Sequence, residues 1–354
     1  MKSPTNFVAR QFFLLSALII FSWTSLNHVS HLPVGYDSSW FVSNAQALLR
    51  GEVLYRDVAR KPADWPVEIA WISKPPVIFA LNAGAMMMGG EKIESIRFME
   101  HLFAVMGCVL VYCILLKMLK SIGLAIAGAY IYAATMFDPR ILEGGNLTEE
   151  YGVVFMLGGI LCAIGGDPKV SKLRIGLSGC LFSLAVLTKE PFIFSTMIWL
   201  ICLVSIKGFS KTALWFALGF LAPIIMFAAY LLSNDAAVAW FESTTLCGFK
   251  YMMSHQSAVP WRSVLYEFGL RVLNQDWMIA ALFFAGVASC LSKKFVRNNG
   301  GWPVWVLAAF AIDFIGTSTS GRALGHYYMQ VAPSFSMLAA FGLKWICFAE
   351  GEKK

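Results

Sequence analysis

Hydrophobic residues fill most of the chain in long runs, and polar residues are confined to the stretches between these runs. A membrane-spanning helix needs about 20 predominantly apolar residues. The runs therefore predict about ten spans, of which the fifth and sixth are divided only by the turn at Thr188–Pro191. The spans cover residues 11–29, 98–116, 121–137, 151–166, 174–188, 191–206, 212–232, 277–291, 302–317 and 324–348. The predicted fold class is an all-α polytopic membrane protein.

Two long polar segments, residues 30–97 and 233–276, interrupt the runs. Within the first, residues 38–50 predict an amphipathic helix lying on the membrane surface, with Ser38 as its N-cap and Arg50 followed by Gly51 as its end. Residues 76–90 are apolar but short and glycine-containing, which predicts an interfacial or re-entrant segment. We expect residues 1–354 to form a single membrane domain without a soluble C-terminal domain.

The composition supports a membrane protein. Of the 354 residues, 58% are hydrophobic and only 14% are charged, whereas soluble domains carry about 25% charged residues. This excludes an ordinary cytosolic globular protein, a disordered chain and a secreted disulfide scaffold. The net charge of +7 could suggest a nucleic-acid partner, so the position of the basic residues along the chain decides how that charge is interpreted.

The basic residues cluster in alternate short loops. These loops contain Lys117 and Lys120; Lys169, Lys172 and Arg174; Lys207 and Lys211; and Lys293, Lys294 and Arg297, with Lys353 and Lys354 in the tail. In the ten-span topology all of them lie on the side of the N-terminus, which the positive-inside rule identifies as cytoplasmic. The charge is thus explained by membrane orientation, and we expect no nucleic-acid partner. The expected location is the bacterial inner membrane.

Acidic residues collect on the opposite side of the membrane in this topology. Transporters usually place ionisable groups near the midplane, but only Asp313 lies inside an apolar run, close to the outer end of that span. The sequence therefore predicts a site at the periplasmic surface. Its candidate clusters are Gly35–Asp37, Trp71–Pro76, Glu143–Tyr151 and Gly321–Tyr328, with a smaller charged turn at Thr188–Glu190.

Each cluster also has a purely structural interpretation. Asp37, Glu149 and Glu150 would favour the positive end of a helix dipole, with Thr148 as an N-cap. Lys74 would extend to the lipid headgroups, and the aromatic residues at 326–328 would anchor a helix end at the interface. Together, however, the clusters supply carboxylates, lysines, an arginine, a histidine and tyrosines on one face. That combination suits a phosphate donor carried by a lipid.

The order of these motifs resembles GT-C glycosyltransferases of the group that contains protein O-mannosyltransferases and lipid A aminoarabinose transferases. The resemblance covers roughly residues 30 to 335. The motifs are Gly-Tyr-Asp after the first span, Lys-Pro-Pro, Asn-Leu-Thr-Glu-Glu, Thr-Lys-Glu-Pro and the Arg-x-x-x-His-Tyr-Tyr-x-Gln-x-x-Pro stretch from Arg322 to Pro333. It implies a GT-C-like bundle with juxtamembrane helices in the long first external loop.

The resemblance also implies a reaction: inverting transfer of a monosaccharide from a polyprenyl-phosphate donor to an acceptor hydroxyl on a cell-envelope glycan, a lipid or a protein. Asp37 would be the general base. Lys74, Arg322 and Lys189 would stabilise the leaving phosphate. The residues expected to orient the acceptor, the sugar or a divalent ion are Glu149, Glu150, Tyr36, His326 and Tyr327.

One departure from the family pattern leaves the divalent ion open. Aminoarabinose transferases have an acidic residue directly before the Lys-Pro pair, and this chain has Ser73 there. No cofactor is otherwise expected. Two other functions stay open at this point: a transporter or flippase for lipid-linked sugars, and a polymerase or ligase that uses pyrophosphate-linked oligosaccharides.

Overall fold

A computed structural model describes residues 15–26, 35–57, 74–164, 172–246, 248, 261–273, 276–319 and 324–349. This part of the chain is built from α-helices, two π-helical turns and one 3₁₀ helix, and it contains no β-strand. The predicted all-α fold class is confirmed. The α-helices are α1 (Leu15–Leu26), α2 (Tyr36–Leu49), α3 (Val77–Gly89), α4 (Ile93–Leu119), α5 (Ile122–Met136), α6 (Pro139–Leu142), α7 (Thr148–Ala163), α8 (Lys172–Val186), α9 (Phe192–Lys207), α10 (Phe209–Ser233), α11 (Ala237–Trp240), α12 (Trp261–Phe268), α13 (Trp277–Ser289), α14 (Lys293–Asn298), α15 (Trp302–Ser318) and α16 (Ala332–Ala349).

The helix expected in the first external segment is present, but its start was predicted wrongly. Helix α2 begins at Tyr36 with Gly35 as its N-cap. Ser38 is completely buried, and its hydroxyl has no hydrogen-bond partner among the described residues, so it cannot cap the helix. The predicted end is correct, because Arg50 is the C-cap and Gly51 has a φ of 86°, a conformation that favours glycine.

Helices α2 and α3 form a compact pair. The Phe41 and Phe79 rings meet edge to face with centroids 5.9 Å apart. Both residues belong to a small hydrophobic core that also contains Phe103 of α4 and Tyr151 of α7. The apolar stretch at 76–90 therefore forms a helix that packs against α2. This core joins α2 and α3 to α4 and α7.

Two described helices, Ile93–Leu119 and the Lys211–Ser233 part of α10, are both long and apolar enough to cross a membrane. Six shorter apolar helices accompany them. The number of about ten spans remains a prediction. Helix α4 begins at Ile93, earlier than the predicted span, which starts at residue 98.

The predicted start of the last span, residues 324–348, is also wrong. It begins as a 3₁₀ helix (Gly325–Gln330), and α16 starts only at Ala332. Pro333 explains the break, since proline lacks an N–H donor and is tolerated in the first turn of an α-helix but not in its interior. His326 and Tyr327 consequently lie on a short segment that precedes the apolar helix.

Helix α16 is packed closely against α13 through glycine. A Cβ atom added at Gly286 would collide with the backbone carbonyl of Leu338, and one at Gly342 would collide with the carbonyl of Leu282. Helices can approach this closely only where small residues face each other. The backbone contact fixes α16 and thus the 3₁₀ helix just before it.

We expect Gly286→Ala to destabilise the protein, because the two backbones must separate to admit the new methyl group. Overpacking of this kind costs about 1–3 kcal/mol. Gly84→Ala is the matched control: this helical glycine in α3 has nothing within 4 Å of the added Cβ. Thermal unfolding of the purified proteins in detergent would check this. Equal midpoints for the two variants would contradict the packing argument.

Candidate active site

The centre of the candidate site is a buried ion pair between Glu149, in the first turn of α7, and Lys189, in the turn that joins α8 to α9. Oε1 of Glu149 accepts a hydrogen bond from Nζ of Lys189. The other carboxylate oxygen accepts one from the Thr148 hydroxyl at 2.7 Å. The side chains are only 2% and 9% exposed, so each charge depends on the other for its stability.

The 3₁₀ helix supplies the next layer of the site. Nζ of Lys189 lies 3.8 Å from the centroid of the Tyr327 ring, a cation–π contact. The His326 ring meets the Tyr327 ring edge to face, with centroids 4.7 Å apart, and Nε2 of His326 is 3.8 Å from Oε1 of Glu149. The structure thus brings together four of the predicted site residues: Glu149, Lys189, His326 and Tyr327.

Backbone hydrogen bonds hold the segment that contains Lys74 near this cluster. The N–H of Val77, at the start of α3, donates to the carbonyl of Leu187 at the end of α8, which places the Lys-Pro-Pro segment beside the Lys189 turn. The Tyr55 hydroxyl donates to the Lys74 carbonyl at 2.9 Å. These two contacts hold the chain from the Lys74 carbonyl to the start of α3.

The charge of Lys74 is set by its acidic neighbours. Desolvation by the surrounding protein lowers the pKa of Lys74, but attraction from Tyr327, Glu149, Asp37 and Glu190 outweighs it and raises the pKa above its usual value. Within the described residues, its ammonium group forms no hydrogen bond or ion pair shorter than 4.0 Å. Lys74 is half-buried and therefore offers a charged group to a ligand.

The pKa of Lys189 is shifted in the opposite direction. Burial lowers the pKa of Lys189 to about 8, and repulsion from Lys74 adds to this effect, while attraction from Glu149 and Glu190 opposes it. Its ammonium is still protonated at neutral pH. Glu190 is exposed and interacts electrostatically with both lysines. The sequence-based prediction names its turn but gives Glu190 no role.

Asp37 lies in the first turn of α2. Its side chain is half-buried, and its charge contributes to the raised pKa of Lys74. A Cβ atom added at Gly35 would be 3.3 Å from the backbone carbonyl of Glu143, so the start of α2 lies against the turn that follows α6. The predicted base and the predicted phosphate ligand therefore interact within one cluster.

Glu150 points away from this cluster. Its Oε2 accepts a hydrogen bond from the N–H of Leu147 at 2.6 Å, and Leu147, not Thr148, is the N-cap of α7. Thr148 was thus wrongly predicted as the cap. Glu150 also interacts with Glu100 and Arg97 of α4. These contacts describe a capping carboxylate, and they give no support to the predicted role in orienting a substrate.

Of two other predicted residues, one is not described and one is described only in part. Arg322 lies outside the described residues, and for Tyr36 the structure describes the backbone position at the start of α2 but not the side chain. Among the described residues, no group of three or more His, Cys, Asp or Glu side chains is arranged to hold a metal ion. Ser73 lies outside this part of the chain.

Like Glu190, Glu143 is an acidic residue to which the sequence-based prediction gave no role. Glu143, which follows α6, accepts a hydrogen bond from the Gly325 N–H at 2.8 Å, and its other carboxylate oxygen lies 2.5 Å from Nδ1 of His326. The partners are 182 and 183 residues away in sequence. Because the pattern around Glu143 is local, no signal in the sequence could have identified these partners.

A buried polar bridge holds the other end of the 3₁₀ helix. The Gln330 amide donates to the Pro191 carbonyl at 3.1 Å and to the Ser195 hydroxyl at 3.0 Å. Ser195 in turn donates to Asp313 of α15. Asp313, noted in the sequence as an isolated acid inside an apolar run, therefore anchors the segment that carries His326.

Comparison with known proteins identifies the fold. Neither a family model nor a curated protein matches the sequence. The structure, however, is similar to the crystal structure of ArnT from Cupriavidus metallidurans bound to undecaprenyl phosphate, with a TM-score of 0.67 and 15% sequence identity. The similarity covers 97% of this chain and 61% of ArnT.

This chain has the GT-C fold. The apo structure of the same ArnT gives a TM-score of 0.62 at 14% identity, over 96% of this chain and 60% of ArnT. ArnT is an aminoarabinose transferase and a GT-C enzyme, so the fold expected from the motifs is confirmed. The chain spans about three fifths of ArnT (61%), and the helices carrying the cluster around Lys189 lie within the GT-C fold.

Proposed function

We propose that this chain is a membrane glycosyltransferase that moves a monosaccharide from a polyprenyl-phosphate donor to an acceptor hydroxyl. The observation that supports this most directly is the charged ammonium of Lys74, which has no ion-pair partner within the described residues and is attracted electrostatically by Asp37. A protonated amine at a half-buried position suits the phosphate of a lipid donor. The GT-C fold, shared with a protein crystallised with undecaprenyl phosphate, makes that lipid class the natural candidate.

Asp37 would act as the general base. Its carboxylate would take the proton of the acceptor hydroxyl as that oxygen attacks the anomeric carbon of the sugar. The new carbon–oxygen bond forms on the face opposite the leaving phosphate, and the bond from the anomeric carbon to the phosphate oxygen breaks. The products are the glycoside with inverted configuration and the free lipid phosphate, with the proton held by Asp37.

Positive groups would stabilise the lipid phosphate as it leaves. Lys74 has no ion-pair partner among the described residues, and Lys189 adds a second ammonium that Glu149 and the Tyr327 ring hold in place. Arg322 would contribute a third. Fixed charges that face a developing anion lower the barrier because they need no reorganisation during the reaction.

The remaining predicted residues would line the sugar and acceptor positions. His326 and Tyr327 reach the same cluster as Lys189, and Tyr36 precedes the proposed base by one residue. Glu190 is an exposed carboxylate beside Lys74 and could accept hydrogen bonds from sugar hydroxyls. Any divalent ion would have to be recruited by carboxylates of this cluster.

The proposed location is the bacterial inner membrane, with the site on the periplasmic side. Support comes from the basic residues, which group in alternate loops. The acceptor would then be a glycan, a lipid or a protein of the cell envelope, and the loops beside the site would determine which acceptor binds.

Mass spectrometry of envelope glycans from a deletion strain tests this function. We expect one sugar to be missing from one acceptor, and we expect a plasmid with the wild-type gene, but not one with Asp37→Asn, to restore it. An unchanged envelope would contradict the proposal. Proteoliposomes separate transfer from transport: movement of a lipid-linked sugar without any glycoside formed would identify a flippase instead. Activity only with pyrophosphate-linked oligosaccharides would indicate a polymerase or ligase.

A further inference from the structure

We propose that Glu143 is a positioning residue: it fixes the orientation and the protonated nitrogen of His326, and through the 3₁₀ helix it sets where Tyr327 holds Lys189. This inference rests on the proposed function for its catalytic consequence. Its structural part, the effect of Glu143 on His326, stands independently of any activity.

The turn that carries Glu143 is built to hold its side chain in one place. Glu143 is the C-cap of α6 with a φ of 47°, and the backbone N–H of Gly145 donates to the Leu142 carbonyl at 2.8 Å. Arg97 of α4 donates to the carbonyl of Gly144 at 2.7 Å. The left-handed conformation at a non-glycine residue is uncommon and persists where the surrounding contacts enforce it.

Both carboxylate oxygens of Glu143 are used by the start of the 3₁₀ helix. One accepts from the N–H of Gly325, and the other contacts Nδ1 of His326. The first N–H groups of a helix have no partner within the helix, so the carboxylate satisfies one of them. Because a carboxylate can only accept hydrogen bonds, Nδ1 of His326 must carry a proton.

The consequence for the ring is that its other nitrogen is directed into the site. Nε2 of His326 lies 3.8 Å from Glu149, and the ring lies edge-on against Tyr327. Tyr327 in turn presents its face to Lys189 at 3.8 Å. Glu143 therefore stands at the outer end of a series of contacts that ends at the ammonium proposed to meet the donor phosphate.

Glu143 also contacts the other side of the site. Its backbone carbonyl lies against Gly35, where an added Cβ would be 3.3 Å away. Gly35 is the N-cap of the helix that carries Asp37. Glu143 thus contacts both α2, which carries the proposed base, and the 3₁₀ helix, whose Tyr327 contacts Lys189.

Glu143→Gln is the sharpest variant to test this. Glutamine keeps the size of the side chain, and its carbonyl oxygen can still accept from Gly325, so the fold has little reason to change. Its amide nitrogen, however, donates where the carboxylate accepted, so Nδ1 of His326 must lose its proton. The side chain of Glu143 is 30% exposed, which further favours a folded variant. Glu94→Gln, at an exposed glutamate of α4, is the matched control.

Nuclear magnetic resonance of protein labelled with ¹⁵N-histidine in lipid nanodiscs gives the first readout. The chain has five histidines, and His326→Asn assigns the signal of interest. We expect a protonated Nδ1 in the wild type and in Glu94→Gln, and an unprotonated Nδ1 in Glu143→Gln. The same protonation in all three proteins would overturn the proposal. No donor is needed, so this result does not depend on the proposed function.

The second readout is transfer. Mutation of the partner that orients a metal-ligating histidine typically costs about 10- to 100-fold in affinity or activity, and we use that range as the scale for His326. We expect Glu143→Gln to raise KM for the polyprenyl-phosphate donor by about that factor, with a smaller change in kcat. A changed His326 signal with unchanged KM and kcat would overturn the positioning role. If the wild type itself transfers no sugar, the proposed function fails while the histidine result stands.

Discussion

Asp37→Asn is expected to abolish sugar transfer while the protein still folds and binds the donor lipid. Asparagine has nearly the same size as aspartate but cannot accept the proton of the acceptor hydroxyl. A positioned general base contributes about 10²–10⁴-fold to the rate, so the loss should be of that order. The measurement is single-turnover transfer with saturating donor, accompanied by a binding assay with the lipid phosphate alone.

The effect on binding separates this role from a structural one. Asp37 attracts the Lys74 ammonium, and its negative charge would repel a phosphate bound there, so removal of that charge should leave phosphate binding intact or slightly stronger. Asp235→Asn is the control: Asp235 is exposed and has a φ of 51°, a conformation that asparagine tolerates. Transfer at the wild-type rate by Asp37→Asn would eliminate this residue as the base.

Lys189→Met is expected to have the second large effect, and on two properties at once. It leaves the charge of Glu149 buried without its partner, since that side chain is only 2% exposed. Removal of one member of a buried pair costs about 3–5 kcal/mol of stability. The thermal midpoint in detergent should fall strongly, and donor binding should weaken because an ammonium near the phosphate is lost.

The double variant Glu149→Gln/Lys189→Met separates the two effects. It removes both charges, and replacement of a buried pair by neutral residues is often close to neutral for stability, so the thermal midpoint should recover. Donor affinity should not recover. Lys92→Met, at an exposed lysine before α4, controls for the loss of a positive charge. Donor affinity at the wild-type level in the double variant would show that Lys189 serves stability alone.

Glu143 shows why the sequence could not reveal the whole site. The residue lies only six positions before Glu149, in a motif that draws attention to its other acids. Its importance comes from two hydrogen bonds to the 3₁₀ helix, 182 and 183 residues further along the chain. A residue's type and neighbours say what bonds it can make, but not which distant donor will be placed beside it.

Glu150 is a second case in which the sequence could not assign a role to a residue. Two adjacent glutamates in the first turn of a helix look equivalent in sequence, but successive residues of a helix point about 100° apart. Glu149 faces Lys189, whereas Glu150 turns back to the N–H of Leu147. The orientation of α7 against its neighbours places Glu149 beside Lys189 and leaves Glu150 to cap the N-terminus of the helix.

Local rules, by contrast, predicted the helices well where apolar runs are uninterrupted. The predicted span at 121–137 corresponds to α5 at Ile122–Met136, and the turn at 188–191 does divide α8 from α9. A helix satisfies its backbone hydrogen bonds within its own segment, so the local pattern carries that information. The errors fell at helix ends, where capping and proline geometry decide, as at Ser38 and Pro333.

The sequence by itself therefore determined the helical class, the position of most apolar helices and the small set of charged residues from which the site is drawn. With only 14% charged residues, each charge beside an apolar run was a candidate. Only the tertiary structure decided which of them meet: Lys189 with Glu149, and Glu143 with His326. The reason is physical, since helix formation depends on contacts a few residues apart, whereas a buried charge needs a partner that only the packing of distant segments can bring to it.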